Sequence, residues 1–247
     1  MDAGRDRTTN PPRSRGGFAR IALLAFLAVS CLGFTALGVW QVKRLSWKLD
    51  LIERVDARVH AAPVSAPGQG DWPQVSAARD EYRHVRLDGR FLPGHDTRVQ
   101  AVTELGPGFW VLSPFQTADG TVLVNRGFIP QDWRLVPPPP ADTQVTGLLR
   151  ISEPGGAFLR DNDAASNRWY SRDVQAIAAA RGLGTVAPYF VDADRGDSAD
   201  TWPRGGLTVV QFRNNHLVYA LTWFGLALMA AGAGAYVLRY ERRRRAL

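Results

Sequence analysis

The sequence has one cysteine, Cys31, in 247 residues. A lone thiol cannot close a disulfide within the chain. It also leaves no Cys-x-x-Cys-His for covalently attached haem and no cysteine pair for zinc or copper. Cys31 sits inside an apolar run and reads as a small packing residue. Histidine is scarce too: there are four, and His60, His84 and His95 stand alone, as surface or strand residues rather than ligands. Gly-x-Ser-x-Gly, His-Glu-x-x-His and a glycine-rich phosphate loop are all missing, so no enzyme is expected. An extracytoplasmic hydrolase would need an activated nucleophile, and none can be placed. Asp161 and Asp163 hint at calcium, but the rest of such a loop is absent. No internal repeat appears.

The middle of the chain also lacks net charge. The formal charge is +7, but the two tails hold ten basic and three acidic residues. Of the 30 basic and 23 acidic residues in all, twenty of each remain between the tails. The excess is therefore a topology signal, which the positive-inside rule reads as two cytoplasmic tails. A nucleic-acid partner would need a basic patch on the folded domain, and none is visible.

Two long apolar runs are present. Ile21 to Trp40 is longer than the usual signal-peptide core and ends in no clean small-x-small site; Ala36-Leu37-Gly38 comes nearest. It reads as an uncut anchor, with a cleaved signal as the alternative. Leu217 to Leu238 makes a helix of about 33 Å, enough for a bilayer core of about 30 Å. Small residues mark both runs: Ala22, Ala25, Ala28, Gly33, Ala36 and Gly38 in the first, and Ala220, Ala227, Ala230 and Gly234 in the second. Either they let the helices approach closely, or they are ordinary lipid-facing sequence.

The expected architecture is an α+β membrane protein. Two transmembrane helices flank an extracytoplasmic, mostly antiparallel β domain with one or two short helices. The boundaries are a disordered tail at 1–20, a span at 21–40, a membrane-proximal helix at 41–60, the β-rich domain at 61–215, a second span at 216–238 and a basic tail at 239–247. Leu45, Leu49, Ile52, Val55 and Val59 continue a helical stripe past the first span. Residues 61–74 read as a linker. Strands are expected at Val85–Phe91, Thr97–Val102, Phe109–Phe115, Thr121–Ile129, Val145–Ile151, Tyr189–Val191 and Leu207–Phe212. Ala118-Asp119-Gly120 reads as a hairpin turn, and Asp173 to Arg181 as a short helix capped by Asp173 and stopped by Gly182.

Two places carry candidate chemistry. Asn215 suits an N-cap, which puts His216 at the mouth of the second span, with Tyr219 and Trp223 on the same helical face. That group could hold a flat, apolar cofactor through the imidazole, or it could be an interfacial aromatic belt. In Val122-Leu123-Val124-Asn125-Arg126-Gly127, Arg126 interrupts an apolar strand. It could bind a propionate in bidentate fashion, or form a structural ion pair. Arg213 precedes the asparagine pair and offers a second guanidinium.

Taken together, these stretches resemble the Surfeit locus protein 1 family of cytochrome oxidase assembly factors. The matching pieces are Leu37-Gly38-Val39-Trp40-Gln41 with Arg44, Trp47 and Lys48; Gly89-Arg90-Phe91; Val122 to Gly127; Trp202-Pro203; Asn214-Asn215-His216-Leu217; and Tyr219 to Phe224. Phe128-Ile129-Pro130 departs from the family's Trp-Val-Pro but keeps an aromatic. The resemblance implies two spans in a bacterial inner membrane and a role in maturing haem-copper oxidase. It implies that haem a is held, with His216 as an axial ligand of the iron, and passed to oxidase subunit I, with haem a synthase as a further partner. A cofactor-free scaffold for oxidase subunits is the alternative.

Overall fold

The computed structural model describes residues 15–138, 141–157, 159–196, 201–208 and 214–245. The chain forms two compact units: Met1–Ile52 with Phe212–Leu247, and Glu53–Gln211.

The first unit is a helical hairpin. Helix α1 runs unbroken from Arg15 to Val59, and α4 from His216 to Arg245. The apolar run and the stripe beyond it thus share one helix, which begins inside the stretch expected to be a disordered tail. Both helices are long and apolar enough to cross a membrane. Phe26, Val29 and Leu32 on α1, and Leu221, Leu228 and Met229 on α4, are exposed. A face of that kind suits lipid rather than water, which supports membrane association. The hydroxyls in these helices bond to their own backbone: Thr35 Oγ1 donates to the Cys31 carbonyl at 2.8 Å and Thr222 Oγ1 to that of Val218 at 2.8 Å.

The second unit is a small β-barrel with short helices. Its strands are β1 (Val64–Ser65), β2 (His84–Phe91), β3 (Thr97–Thr103), β4 (Gly106–Thr117), β5 (Gly120–Pro130), β6 (Thr143–Ile151) and β7 (Val186–Ala193). The helices are α2 (Ala77–Asp80) and α3 (Val174–Arg181). The sheet order is β1-β2-β6-β7-β5-β4-β3, and a further β2–β4 pairing closes a ring of five strands. Pairing within the ring is antiparallel except for β5–β7. The expected sheet is therefore a closed one.

Closure turns on Gly89. In β2 it faces Thr143 of β6 and Thr117 of β4, so the strand changes partner there. A Cβ at Gly89 would meet the Gln116 carbonyl at 2.0 Å, a contact that only glycine permits. Val122, Val124, Phe115, Tyr189 and Val191 fill one core cluster. Leu123 and Phe190, next to them in sequence, belong to a second cluster with Ile177 of α3 and Trp169. The uninterrupted Val-Leu-Val run is the signature of a strand buried on both faces.

Two readings need correction. The 61–74 stretch contains β1, and its Trp72 is buried in the core; the indole N–H and the Tyr189 hydroxyl both donate to the Pro67 carbonyl, at 3.0 and 2.7 Å. A large ring that finds both an apolar site and an acceptor is drawn into the core. Leu207 and Thr208 have no strand structure, and the rest of that expected strand lies outside the described residues. Helix α3 is capped and stopped as expected: the Asp173 carboxylate accepts from Ala176 N–H and Gly182 ends the helix in the left-handed conformation.

Candidate functional site

Within the hairpin, small residues set the contact between α1 and α4. Ala220, Ala227 and Ala230 are the buried residues of α4. On α1, the Phe224 ring lies where a Gly38 Cβ would be, 2.6 Å away, while Ala22, Ala25, Ala28, Gly33 and Ala36 stay exposed. Trp223 stacks on Phe34, with centroids 5.7 Å apart and planes 26° apart. Only some of the small residues read from sequence therefore serve the helix contact.

Two polar pairs join the helices, one at each end of this apolar stretch. Arg20 Nη1 bonds to Glu241 Oε1 at 2.7 Å, and His216 Nδ1 lies 2.7 Å from Gln41 Oε1. The 21 residues from Arg20 to Gln41 span about 32 Å at 1.5 Å per residue, close to a bilayer core. His216 and Gln41 thus mark one boundary of the apolar belt. Trp40 and Trp47 are exposed near that boundary, and the Arg44 guanidinium lies 4.0 Å from the Trp47 ring centroid.

The pair fixes the chemistry of His216. The Gln41 carbonyl oxygen only accepts, so His216 Nδ1 is the donor of this bond, and among the described residues Nε2 has no partner. Gln41 is 8% exposed, which holds its amide in place. A neutral imidazole whose inner N–H is bonded and whose outer nitrogen is free has the form of a metal-ligating histidine. The helix start differs in detail from expectation: Asn214 Oδ1, not the Asn215 side chain, accepts from His216 N–H, at 3.4 Å, while the Asn215 carbonyl accepts from Tyr219 N–H at 3.2 Å.

The other candidates are dispersed. Tyr219 is 54% exposed, one turn into α4. Trp223 is held against Phe34. Arg213 lies outside the described residues. Arg126 belongs to the barrel unit, where its Nη1 donates to the Val136 carbonyl at 3.2 Å and its guanidinium lies 5.7 Å from the Phe91 ring centroid. Burial pulls its pKa down, and the field of Asp96 offsets only part of that. Among the described residues it has no carboxylate within ion-pair distance. No group of three or more His, Cys, Asp or Glu able to hold a metal occurs among the described residues.

The barrel has a polar centre of a different kind. Asp192 is 4% exposed and accepts from Asn125 Nδ2 at 2.7 Å, Arg150 Nη1 at 3.0 Å, Arg172 Nη1 at 3.2 Å and Thr208 Oγ1 at 2.9 Å. Arg150 Nε also donates to Glu81 at 2.8 Å, and Arg172 Nε to Glu153 at 3.0 Å. Burial alone would raise the Glu153 carboxyl; its hydrogen bond to Arg172 and the charges of Arg172 and Arg150 hold it below its usual range. A cavity of about 430 Å³ opens beside Asp192, Arg150 and Arg172. Each charged group of this network has an opposite charge within ion-pair distance, as a buried charge cluster requires.

Comparison with known proteins gives the lineage. The SURF1 family model matches residues 28–228. Surfeit locus protein 1 of Mus musculus is 33% identical over 229 residues, covering 84% of this chain and 72% of the relative. That of Homo sapiens is 32% identical over 228 residues, covering 83% and 73%. The SURF1-like protein of Drosophila melanogaster is 33% identical over 217 residues, covering 77% and 69%.

The chain belongs to the SURF1 family.

In this SURF1-family chain the motifs read from sequence have distinct structural duties. Gly89-Arg90-Phe91 is the barrel's closing point. Val122 to Gly127 contributes to both core clusters and includes Asn125, the partner of Asp192. Trp202 packs on Phe128 and Trp133, with centroids 6.0 and 5.9 Å away. Gly38 and Gln41, from one motif, meet Phe224 and His216, from another. Sequence reasoning missed Asp192, Arg150 and Arg172. A signal was available for two of them: Arg150 and Asp192 are charges within apolar strands, in Leu148-Leu149-Arg150-Ile151 and Tyr189-Phe190-Val191-Asp192, while Arg172 lies in a loop. Arg150 and Asp192 are 42 residues apart along the chain, and the pairing of β6 with β7 brings them together.

Proposed function

We propose that this chain assists the maturation of haem-copper cytochrome c oxidase in a bacterial inner membrane, by holding haem a at His216 and passing it to oxidase subunit I. Haem a synthase is the partner proposed to supply the cofactor. The observation that carries the proposal is the His216–Gln41 pair, at 2.7 Å, which leaves one imidazole nitrogen bare at the edge of an apolar belt. Haem, when bound, would supply an iron centre that takes a nitrogen donor, and His216 is the residue that would hold it. Membership of the SURF1 family supports the assembly role.

The residues of the hairpin divide the work. Gln41 holds the imidazole in one tautomer and one orientation. Tyr219, exposed one turn further along α4, offers a ring edge to a flat apolar ligand. Trp223 is fixed by Phe34 and backs the same face. The arginine-rich tails put both termini in the cytoplasm, so the barrel and the His216 end are extracytoplasmic.

The test is an absorption spectrum of the full chain purified in detergent from cells that make haem a. The wild type is expected to carry haem, and His216→Ala to lose most of it while still inserting in the membrane. Stoichiometric haem with an unchanged spectrum in His216→Ala would remove the ligand assignment. A wild type that carries no haem yet captures oxidase subunits would favour the cofactor-free scaffold.

A further inference from the structure

The outer edge of β3 leads to a second site, away from the charged network and independent of the haem reading. In β3, the Gln100 N–H points away from β4 and donates to the Trp169 carbonyl at 2.8 Å, and Val99 forms a parallel bridge with Trp169. The chain's own 169 segment thus acts as a short strand along the first half of this edge. Backbone direction alternates along a strand, so the N–H and C=O of Val102, two residues on, point the same way. Opposite Val102 in β4 is Pro107, which has no N–H, as fits a position outside the ladder.

Where the 169 segment stops, the edge opens. Val102 is 86% exposed, the highest value among the exposed large apolar residues of the strands. A cavity of about 530 Å³ adjoins it, bounded by Val102, Pro107 and Phe109 on the strand side and Ala157, Arg160 and Tyr170 on the loop side. Two cations flank the opening. Arg98 lies 5.3 Å from the Phe109 ring centroid, and Arg160 lies 5.5 Å from that of Tyr170 and donates to Gln100 Oε1 at 3.1 Å. Among the described residues neither has a carboxylate partner, whereas neighbouring Arg168 is bonded to Asp163 at 2.7 Å. An unpaired strand edge, an apolar recess and two uncommitted guanidiniums are together the complement of an extended acidic peptide.

We infer that the β3 edge at Val102 takes up an extended segment of a partner protein as an added strand, with a carboxylate of that segment meeting Arg98 or Arg160 and an aliphatic side chain entering the recess beside Phe109. The strand hydrogen bonds supply the pairing, and the arginines select for acid over base.

Fluorescence anisotropy on the full chain in non-ionic detergent tests this. The probes are three labelled decapeptides: alternating Val and Glu, alternating Val and Lys, and the Val–Glu peptide N-methylated at alternate residues. The Val–Glu probe is expected to bind at least tenfold more tightly than the Val–Lys probe. N-methylation, which blocks strand addition without changing charge, is expected to weaken binding at least fivefold. The double variant Arg98→Glu with Arg160→Glu should invert the preference for acid. Equal binding of the acidic and basic probes, or N-methylated binding equal to unmethylated, would overturn the proposal, and both comparisons use the wild-type chain alone.

Discussion

The barrel and the helical hairpin each bury polar groups, but they leave them in opposite states. In the barrel, Asp192 is ringed by Asn125, Arg150, Arg172 and Thr208, and the two arginines are capped in turn by Glu81 and Glu153. In the hairpin, His216 is satisfied at Nδ1 by Gln41, and among the described residues its Nε2 has no partner. The first arrangement pairs each charge with an opposite one and reads as structural. The second is half finished, and a half-finished polar pair at the edge of an apolar belt is where a ligand belongs. The difference teaches that burial of charge does not mark function by itself; the unused donor or acceptor does.

The comparison breaks first at Asp192. Arg150 and Arg172 have side chains only 14% and 15% exposed, and Asp192→Ala removes the carboxylate they share while each keeps a glutamate. A loss of about 3 kcal/mol is expected, read by chemical denaturation of the barrel, at the low end for breaking a buried ion pair because each arginine retains one opposite charge. A stability within error of wild type would mean that the network is not structural.

In the hairpin, Gly38→Val forces a side chain into the Phe224 ring. Overpacking of that kind costs about 1–3 kcal/mol. Cysteines placed at Phe34 and Trp223 in a chain lacking Cys31 should then cross-link much less efficiently, while the barrel melts as before. Undiminished cross-linking would show that the helices do not meet at Gly38.

Gln41→Leu keeps the volume but removes the acceptor for His216. Haem retention is expected to fall by about 10–100-fold, as for other residues that orient a metal ligand, with Gln41→Glu restoring much of it. Haem binding unchanged in Gln41→Leu but lost in His216→Ala would mean that His216 needs no orienting partner.

The smallest effect is a pH dependence in the barrel. His84 Nδ1 faces the Ala61 carbonyl and Nε2 faces Asp194 Oδ2, both at 2.8 Å. Burial lowers the pKa of His84, but the Asp194 and Ala61 hydrogen bonds and the Asp194 charge outweigh it, so the net shift is upward from 6.5. A raised folded-state pKa stabilises fully below 6.5 and loses that contribution as pH rises through the folded value. The melting temperature of wild type should exceed that of His84→Gln by more at pH 5.5 than at pH 8.5. A gap independent of pH would exclude the charged clamp.

Much of the fold was legible in the sequence. The strand periodicity located six of the seven strands, and Asp173 and Gly182 bracketed α3 closely. Strand ends were less legible: β4 and β5 extend beyond the stretches read from pattern, because pairing with β3 carries β4 through Gly106 and Pro107 and pairing with Gly108 carries β5 to Pro130. Residues 61–74 were misread as a plain linker, since a proline- and glycine-rich stretch gives no sign that its Trp72 will find a core site and an acceptor. Of the candidate site, His216 was visible from its position, but its partner was not: Gln41 lies 175 residues away, and helical spacing says nothing across that gap.

Local chemistry determined what is short in range. Apolar length set the two helices, alternation set the strands, and side chains able to cap or turn the backbone set where elements begin and end. The tertiary structure decided what depends on distant chain segments meeting. It closed the sheet into a barrel at Gly89, gathered Asp192 with Arg150 and Arg172, and set His216 against Gln41. The physical reason is that periodicity records which face of an element is apolar, while pairing and tautomer depend on which other element covers that face.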